Sequence, residues 1–326
     1  MNEKKIVFFI ENNSHLRFLK NVVIEYSQIT RNLEIVSLEK LSFMPDVKQI
    51  VLNNNIEKVT YLKNLACDMF FTTTPNIGTS FFPKSSFLPS EKRPKYIYIF
   101  HSLVSPTEMY KKNSFKNFDY IISPSLTVTT QIKNLISKYT KILTFGYPMF
   151  DNIEPFKFGN IFSKSILIAP SWGDYGLSKH FSSLDNLTYP DGYKVVFRPH
   201  PMDLKKFKDI KFNNLLLDNN LHLDNLHSYE MLVTDCSGIA LEYFYLTGRP
   251  SLFINVPKKV KRRRKKSEEN YLLLEDEMKN TIGEVVEFEK LEHRLHDFRN
   301  INVDLNFVNE YCLSKNVVEK ITNFSF

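Results

Sequence analysis

The chain has 326 residues, 43% of them hydrophobic, and a net charge of +7. That length supports two cores of ordinary domain size, and with no helix-turn-helix, zinc-finger or RNP pattern a specific nucleic-acid reader is excluded. Cys67, Cys236 and Cys312 are too far apart for a disulfide framework or metal-ligand spacing, no apolar run nears the ~20 residues of a membrane span, and the N-terminus lacks a cleavage site, so the expected setting is cytoplasmic.

In chain order, Lys5 to Ile10 reads as a strand, Asn12-Asn13-Ser14 as a capped turn, and Leu16 to Tyr26 as a helix. Leu33 to Leu38 is a strand, Val47 to Asn53 fits either state, and Ile56 to Leu65 is helical. Met69 to Thr73, Tyr96 to Phe100 and Tyr120 to Ile122 are strands, followed by a helix to about Lys138 and a strand at Ile142 to Phe145. The alternation of strand and helix predicts an α/β protein with mostly parallel sheets. Gly146 to Asp151 ends the series, and the aperiodic Asn152 to Lys164 marks the domain boundary. A second series begins with strands at Ser165 to Ala169, Lys194 to Arg198, Leu215 to Leu217, Met231 to Thr234 and Ser251 to Ile254.

Leu232 to Pro250 is the most informative stretch. A buried strand breaks at Thr234-Asp235-Cys236-Ser237-Gly238, and a helix opens at Ile239 and stops at Gly248-Arg249-Pro250. Backbone N–H groups at such a helix start, with the Ser237 hydroxyl beside them, suit a phosphate. A cap role for Asp235 is the structural alternative.

Ligands of open parallel sheets sit beyond the carboxyl ends of strands. That rule selects His101 and Ser102, then Pro170-Ser171-Trp172-Gly173, then Arg198-Pro199-His200-Pro201, and finally Asp235 and Ser237. One histidine thus falls at a strand end in each half, and prolines bracket His200 and fix its backbone. A histidine after a strand often serves structure alone, so the pair carries more weight than either member.

The ordered set His101, Gly146-Tyr147-Pro148 with Asp151, Ala169-Pro170-Ser171-Trp172, Arg198-Pro199-His200-Pro201, and Asp235-Cys236-Ser237 with Glu242 resembles the CDP-glycerol glycerophosphotransferase family of wall teichoic acid and capsule enzymes. The resemblance implies a GT-B fold of two Rossmann-like domains facing an interdomain cleft. An acceptor-side domain would span 1–150, a nucleotide-donor domain 151–304, and a C-terminal helix in 305–326 would cross back to the first domain. It also implies that His101 is the general base on the acceptor hydroxyl and that His200 touches the donor phosphates. Ser237 and Gly238 would hold the pyrophosphate, with Arg198 among the phosphate-binding groups and Asp235 supporting the loop. Ser171 and Trp172 would lie beside the nucleotide and Glu242 against its ribose. Two positions depart from the pattern: Ser102 stands where glycine is common after the first histidine, and Gly238 where a second serine is common.

The chemistry is consistent with those roles. A hydroxyl needs its proton removed, and a histidine titrates in the right range. Charge developing on phosphorus can be met by His200 and helix-start amides. No Asp-x-Asp follows a strand, Glu275-Asp276-Glu277 reads as a surface patch, and no metal or other cofactor is expected. The expected reaction transfers glycerol phosphate, or a related polyol phosphate, from a CDP-linked donor to a polymeric or lipid-linked acceptor. The alternative is a GT-B glycosyltransferase using a CMP- or UDP-sugar, and a third reading is a scaffold without turnover. Lys258 to Lys266 places eight cations in nine residues, and Lys261, Arg262, Arg263, Arg264, Lys265 and Lys266 are the expected contacts for an anionic membrane face or polyanion.

Overall fold

The structure, a computed structural model, describes residues 4–42, 46–86, 88–89, 92–151, 153, 164–173, 176–218, 223–257, 269–271, 273–298, 300–307 and 315–326. The chain divides into two units, the first comprising Met1–Ser102, Pro106–Asn152 and Glu310–Phe326, the second Leu103–Ser105 and Ile153–Asn309.

The first unit is built on a seven-stranded sheet of β1 (Ile6–Ile10), β2 (Leu33–Ser37), β3 (Lys48–Val51), β4 (Met69–Thr72), β5 (Lys95–Ile99), β6 (Tyr120–Ile122) and β7 (Lys141–Leu143), in the order β3-β2-β1-β4-β5-β6-β7. Every pairing is parallel, with Ile6 opposite both Leu33 and Met69. All five residues of β1 and all four of β4 are buried, as expected for a sheet covered on both faces. The segment that fitted either state, Val47 to Asn53, supplies the edge strand β3.

Helix Asn13–Ile29 follows β1. Asn12 caps it by accepting from the Ser14 and His15 amides, and Leu16, Leu19, Val22, Val23 and Tyr26 form its buried face. Leu19, Val22 and Val23 are fully buried, each contributing roughly 1.5–3 kcal/mol relative to exposure. Helix Val317–Thr322 packs Val317, Val318 and Ile321 into this same core. Asp151 Oδ2 accepts the Val318 amide at 2.7 Å, so the acidic residue after Gly146-Tyr147-Pro148 holds the start of that helix. Before that helix Leu305 and Asn306 form a turn, and 308–314 lie outside the described residues.

The second unit has six parallel strands, β8 (Ser165–Ile168), β9 (Lys194–Phe197), β10 (Leu216–Leu217), β11 (Met231–Thr234), β12 (Ser251–Ile254) and β13 (Gly283–Val286), in the order β10-β9-β8-β11-β12-β13. Its first five strands fall where hydrophobic runs predict them. The sixth, β13, was not anticipated, because its pattern of half-buried Glu284 and exposed Val285 is that of an edge strand. In each sheet the strand order reverses at one point, β1/β4 in the first and β8/β11 in the second, and a ligand crevice is expected at each.

Candidate functional site

At the β8/β11 reversal, Asp235 directly follows β11 and is buried to 1% exposure. Its carboxylate accepts from the Ser171 amide at 2.9 Å, the Ser171 hydroxyl at 2.8 Å, the Leu177 amide at 3.0 Å and the Cys236 amide at 2.6 Å. Four donors on one carboxylate lock the turn after β8 to the turn after β11. Gly176 makes room for it, since a Cβ there would stand 2.2 Å from Asp235 Oδ2.

Helix Ile239–Thr247 starts directly after this turn, with Gly238 as its N-cap, and closes on Gly248 in the left-handed region at φ +67°. The Ala240 amide donates to Ser237 O, and those of Leu241 and Glu242 donate to Gly238 O. The amides of Ser237, Gly238 and Ile239 precede those bonds and are the ones an anion can address. Ser237 and Gly238 are partly exposed, whereas Glu242 is buried. Gly238 has ordinary helical angles, φ −59° and ψ −15°, so conformational freedom does not explain it. The space does: an added Cβ would lie 3.0 Å from the Leu103 carbonyl oxygen.

Leu103–Ser105 counts with the second unit and is tied there at another helix start. Ser105 Oγ accepts the Leu274 amide at 2.9 Å while the Ser105 amide donates to Glu275 Oε1 at 2.8 Å. This is a capping box built from two distant segments. It corrects the surface reading of Glu275, which is 4% exposed and serves as the reciprocal cap of Ser105.

After β9, His200 Nδ1 accepts the Met202 amide at 3.2 Å. An acceptor Nδ1 places the ring proton of the neutral imidazole on Nε2. Trp172 lies beside it, with ring centroids 6.3 Å apart. Arg198 donates from Nε and Nη2 to Asp218 Oδ2 at 2.9 and 2.7 Å, and from Nη2 to Asn225 Oδ1 at 2.7 Å. Two nitrogens of the expected phosphate ligand are therefore occupied inside the unit.

In the first unit, His101 follows β5, and Tyr98 Oη lies 3.1 Å from its Nδ1. Tyr98 Oη is 3.4 Å from Tyr110 Oη, which is 3.5 Å from Ser102 Oγ. Burial drives the Tyr98 phenol well above its ordinary pKa, so it stays protonated. His15 stacks on His101 with centroids 5.1 Å apart and planes 17° from parallel. In the sequence His15 is, with Asn12, Asn13 and Ser14, a polar candidate at a strand end whose expected role is a turn or cap. Its place in the first helical turn after β1, at the reversal of a predicted parallel sheet, is the signal that points to a site.

Among the described residues no group of three or more His, Cys, Asp or Glu side chains is placed to hold a metal ion, and no helix is long and apolar enough to cross a membrane. Lys261, Arg262, Arg263, Arg264, Lys265 and Lys266 lie outside the described residues.

Residues 1–271 match the family described as CDP-Glycerol:Poly(glycerophosphate) glycerophosphotransferase. The chain belongs to that family. The glycerophosphotransferase adopts a GT-B-like fold, as similarity to solved structures shows. The wall teichoic acid polymerase TagF superposes with a TM-score of 0.63 at 16% identity, covering 97% of this chain and 86% of that one. Anabaena Alr3699/HepE, in complex with UDP and glucose, gives 0.54 at 10% identity over 98% of both chains. UDP-N-acetylglucosamine 2-epimerase from Rickettsia bellii gives 0.56 at 14% identity, covering 98% of this chain and 95% of that one. No curated protein matches the sequence.

Proposed function

We propose that this glycerophosphotransferase moves glycerol phosphate from CDP-glycerol to a hydroxyl of a surface-polymer chain or its lipid-linked precursor, and releases CMP. The observation that carries the reading is His200. Its Nδ1 accepts the Met202 amide, which puts the ring proton of the neutral imidazole on Nε2, the nitrogen that would donate to a phosphate oxygen. Ser237, Gly238 and the start of helix Ile239–Thr247 supply further N–H groups and the helix dipole for the pyrophosphate. Ser171 and Trp172 flank the nucleotide, Glu242 meets its ribose, and Arg198 acts through the loop that Asp218 and Asn225 hold. A TagF variant soaked with CDPG has the same fold, with a TM-score of 0.60 at 16% identity over 98% of this chain and 87% of that one.

In the proposed reaction Nδ1–H of His101 donates to Tyr98 Oη, and Nε2 takes the proton of the acceptor hydroxyl. The acceptor oxygen bonds to the β-phosphorus as the bond from that phosphorus to the bridging oxygen breaks. CMP leaves with the electron pair. Charge on the equatorial oxygens is met by His200 Nε2–H and the helix-start amides, and transfer needs no divalent ion. The enzyme works at the cytoplasmic membrane face, drawn there by the basic block Lys258 to Lys266.

The test is CMP release from CDP-glycerol in the presence of a soluble glycerol phosphate oligomer, for wild type, His101→Ala and His200→Ala. Both variants are expected to lose at least about a hundredfold in rate. Full activity in both sinks the assigned roles, and a ³¹P spectrum without a new phosphodiester on the acceptor sinks the reaction.

A further inference from the structure

His101 is held on several sides. Tyr98 Oη addresses Nδ1, the rings of Phe18 and Tyr110 meet it edge-on at 6.1 and 6.4 Å, and His15 covers a face at 5.1 Å. His15 is anchored in its own right. Its amide donates to Asn12 Oδ1 at the helix start, and Thr73 Oγ1, at the end of β4, lies 2.8 Å from its Nδ1. Thr73 is fully buried, so its hydroxyl is a fixed post. The His15 and His101 rings thus bring together the carboxyl ends of β1, β4 and β5.

The charge setting suits a neutral stacking partner. Burial lowers the pKa of His15, Arg17 lowers it further and Glu11 opposes them. Tyr98 and Tyr110, which face His101, have pKa values raised by burial and stay neutral as well. A neutral imidazole against His101 lets that ring accept a proton without a neighbouring cation to repel it, and its π face favours the imidazolium that results.

We propose that His15 is a positioning residue for His101: anchored by Asn12 and Thr73, its ring fixes the plane in which the base meets the acceptor hydroxyl. The inference rests on His101 being the base. A base must be held within about 10–20° of its working orientation, and the Tyr98 contact at Nδ1 does not by itself stop rocking about the Cβ–Cγ bond, which a ring stacked on the face does.

The experiment measures kcat and donor KM for CDP-glycerol, with the same oligomer acceptor, in His15→Ala, His15→Phe, Thr73→Val, His101→Ala and the His15→Ala/His101→Ala double variant. His15→Ala is expected to lower kcat roughly tenfold or more at unchanged donor KM. His15→Phe keeps the stacked face and restores most of kcat, and Thr73→Val, which leaves both rings in place, gives a smaller fall in kcat alone. In the His101→Ala background His15→Ala adds no further loss, because the two act as a unit. Histidine-labelled NMR reports the stack directly through the ring-current shift of His101, lost in His15→Ala and kept in His15→Phe. Wild-type kcat in His15→Ala and Thr73→Val overturns the inference, as does a loss confined to KM or one that His15→Phe fails to restore. If His101→Ala itself is fully active, the reading of His101 as base fails, whatever the NMR shows of the stack.

Discussion

Ser171 and Asp235 bind each other twice, through the Ser171 amide to Oδ1 at 2.9 Å and the Ser171 hydroxyl to Oδ2 at 2.8 Å. The pair joins the two strands at which the second sheet reverses its order, so the turn after β8 and the turn that opens helix Ile239–Thr247 are one rigid piece. Ser171 spends its hydroxyl proton on Asp235, and its Oγ also accepts a weak contact from Cys236 Sγ at 3.8 Å.

Asp235→Ala strands the four donors that meet this buried carboxylate and is expected to cost about 3–5 kcal/mol, the range for breaking a buried charged network. Asp235→Asn preserves volume but turns N–H groups toward N–H groups, so it also destabilises. Gly176→Ala reaches the same end by another route, because its Cβ would sit 2.2 Å from Asp235 Oδ2. All three should lower the urea midpoint and raise the KM for CDP-glycerol. A Gly176→Ala protein with wild-type midpoint and KM would show that the clamp tolerates displacement.

Arg198 and its partner Asp218 are 7% and 15% exposed, so their pairing is little screened. Arg198→Lys loses the two-nitrogen fork and Asp218→Asn loses the charge; each is expected to destabilise by about 2–3 kcal/mol. If Arg198 acts on the donor only through this loop, the two variants raise donor KM by similar factors. A much larger KM effect for Arg198→Lys than for Asp218→Asn would assign Arg198 to the phosphate directly.

Much of this arrangement is legible in the sequence because buried parallel strands are continuous apolar runs and the polar groups that follow them mark one edge. Ser171, His200, Asp235 and Ser237 are all found by that rule. What the rule misses depends on contacts between distant segments. His15 looks like a cap until β4 brings Thr73 and β5 brings His101 beside it, and Glu275 looks like a surface acid until Ser105 docks on its helix. Gly238 reads as a lost serine hydroxyl, yet its neighbour is the Leu103 carbonyl, which no local pattern reveals.

The buried ionisable groups set the pH dependence of folding. His15 has an ordinary pKa of 6.5 when unfolded and a lower one when folded, so below that pH the unfolded chain takes up a proton that the folded chain refuses. Stability is fully present above 6.5 and declines as pH falls through this window. At the other end, burial, with a smaller contribution from Asp235, pushes the Cys236 thiol up to about 12, and burial pushes Cys67 up to about 12. Unfolded thiols ionise near 9, so stability contributed by both falls as pH rises above that value. Urea midpoints of wild type and His15→Gln between pH 5 and 7 check the acid side: the variant should lose part of the slope. Iodoacetamide at pH 8 checks the other, with Cys67 and Cys236 labelling slowly in the folded protein and rapidly in urea.

His200 allows the sharpest substitution test, because its two ring nitrogens have different duties. Nδ1 accepts the Met202 amide and, by the reading above, Nε2–H donates to phosphate. Glutamine extends an amide N–H to about the position of Nε2, whereas asparagine reaches only about as far as Nδ1. His200→Gln is therefore expected to keep a larger share of donor affinity than His200→Asn, with His200→Ala the weakest of the three. Long-range ¹⁵N–¹H spectra of histidine-labelled protein at pH 8 should show the His200 proton on Nε2. Equal donor KM for the glutamine and asparagine variants, or a proton on Nδ1, would remove His200 from the phosphate and leave it a turn residue held by Met202.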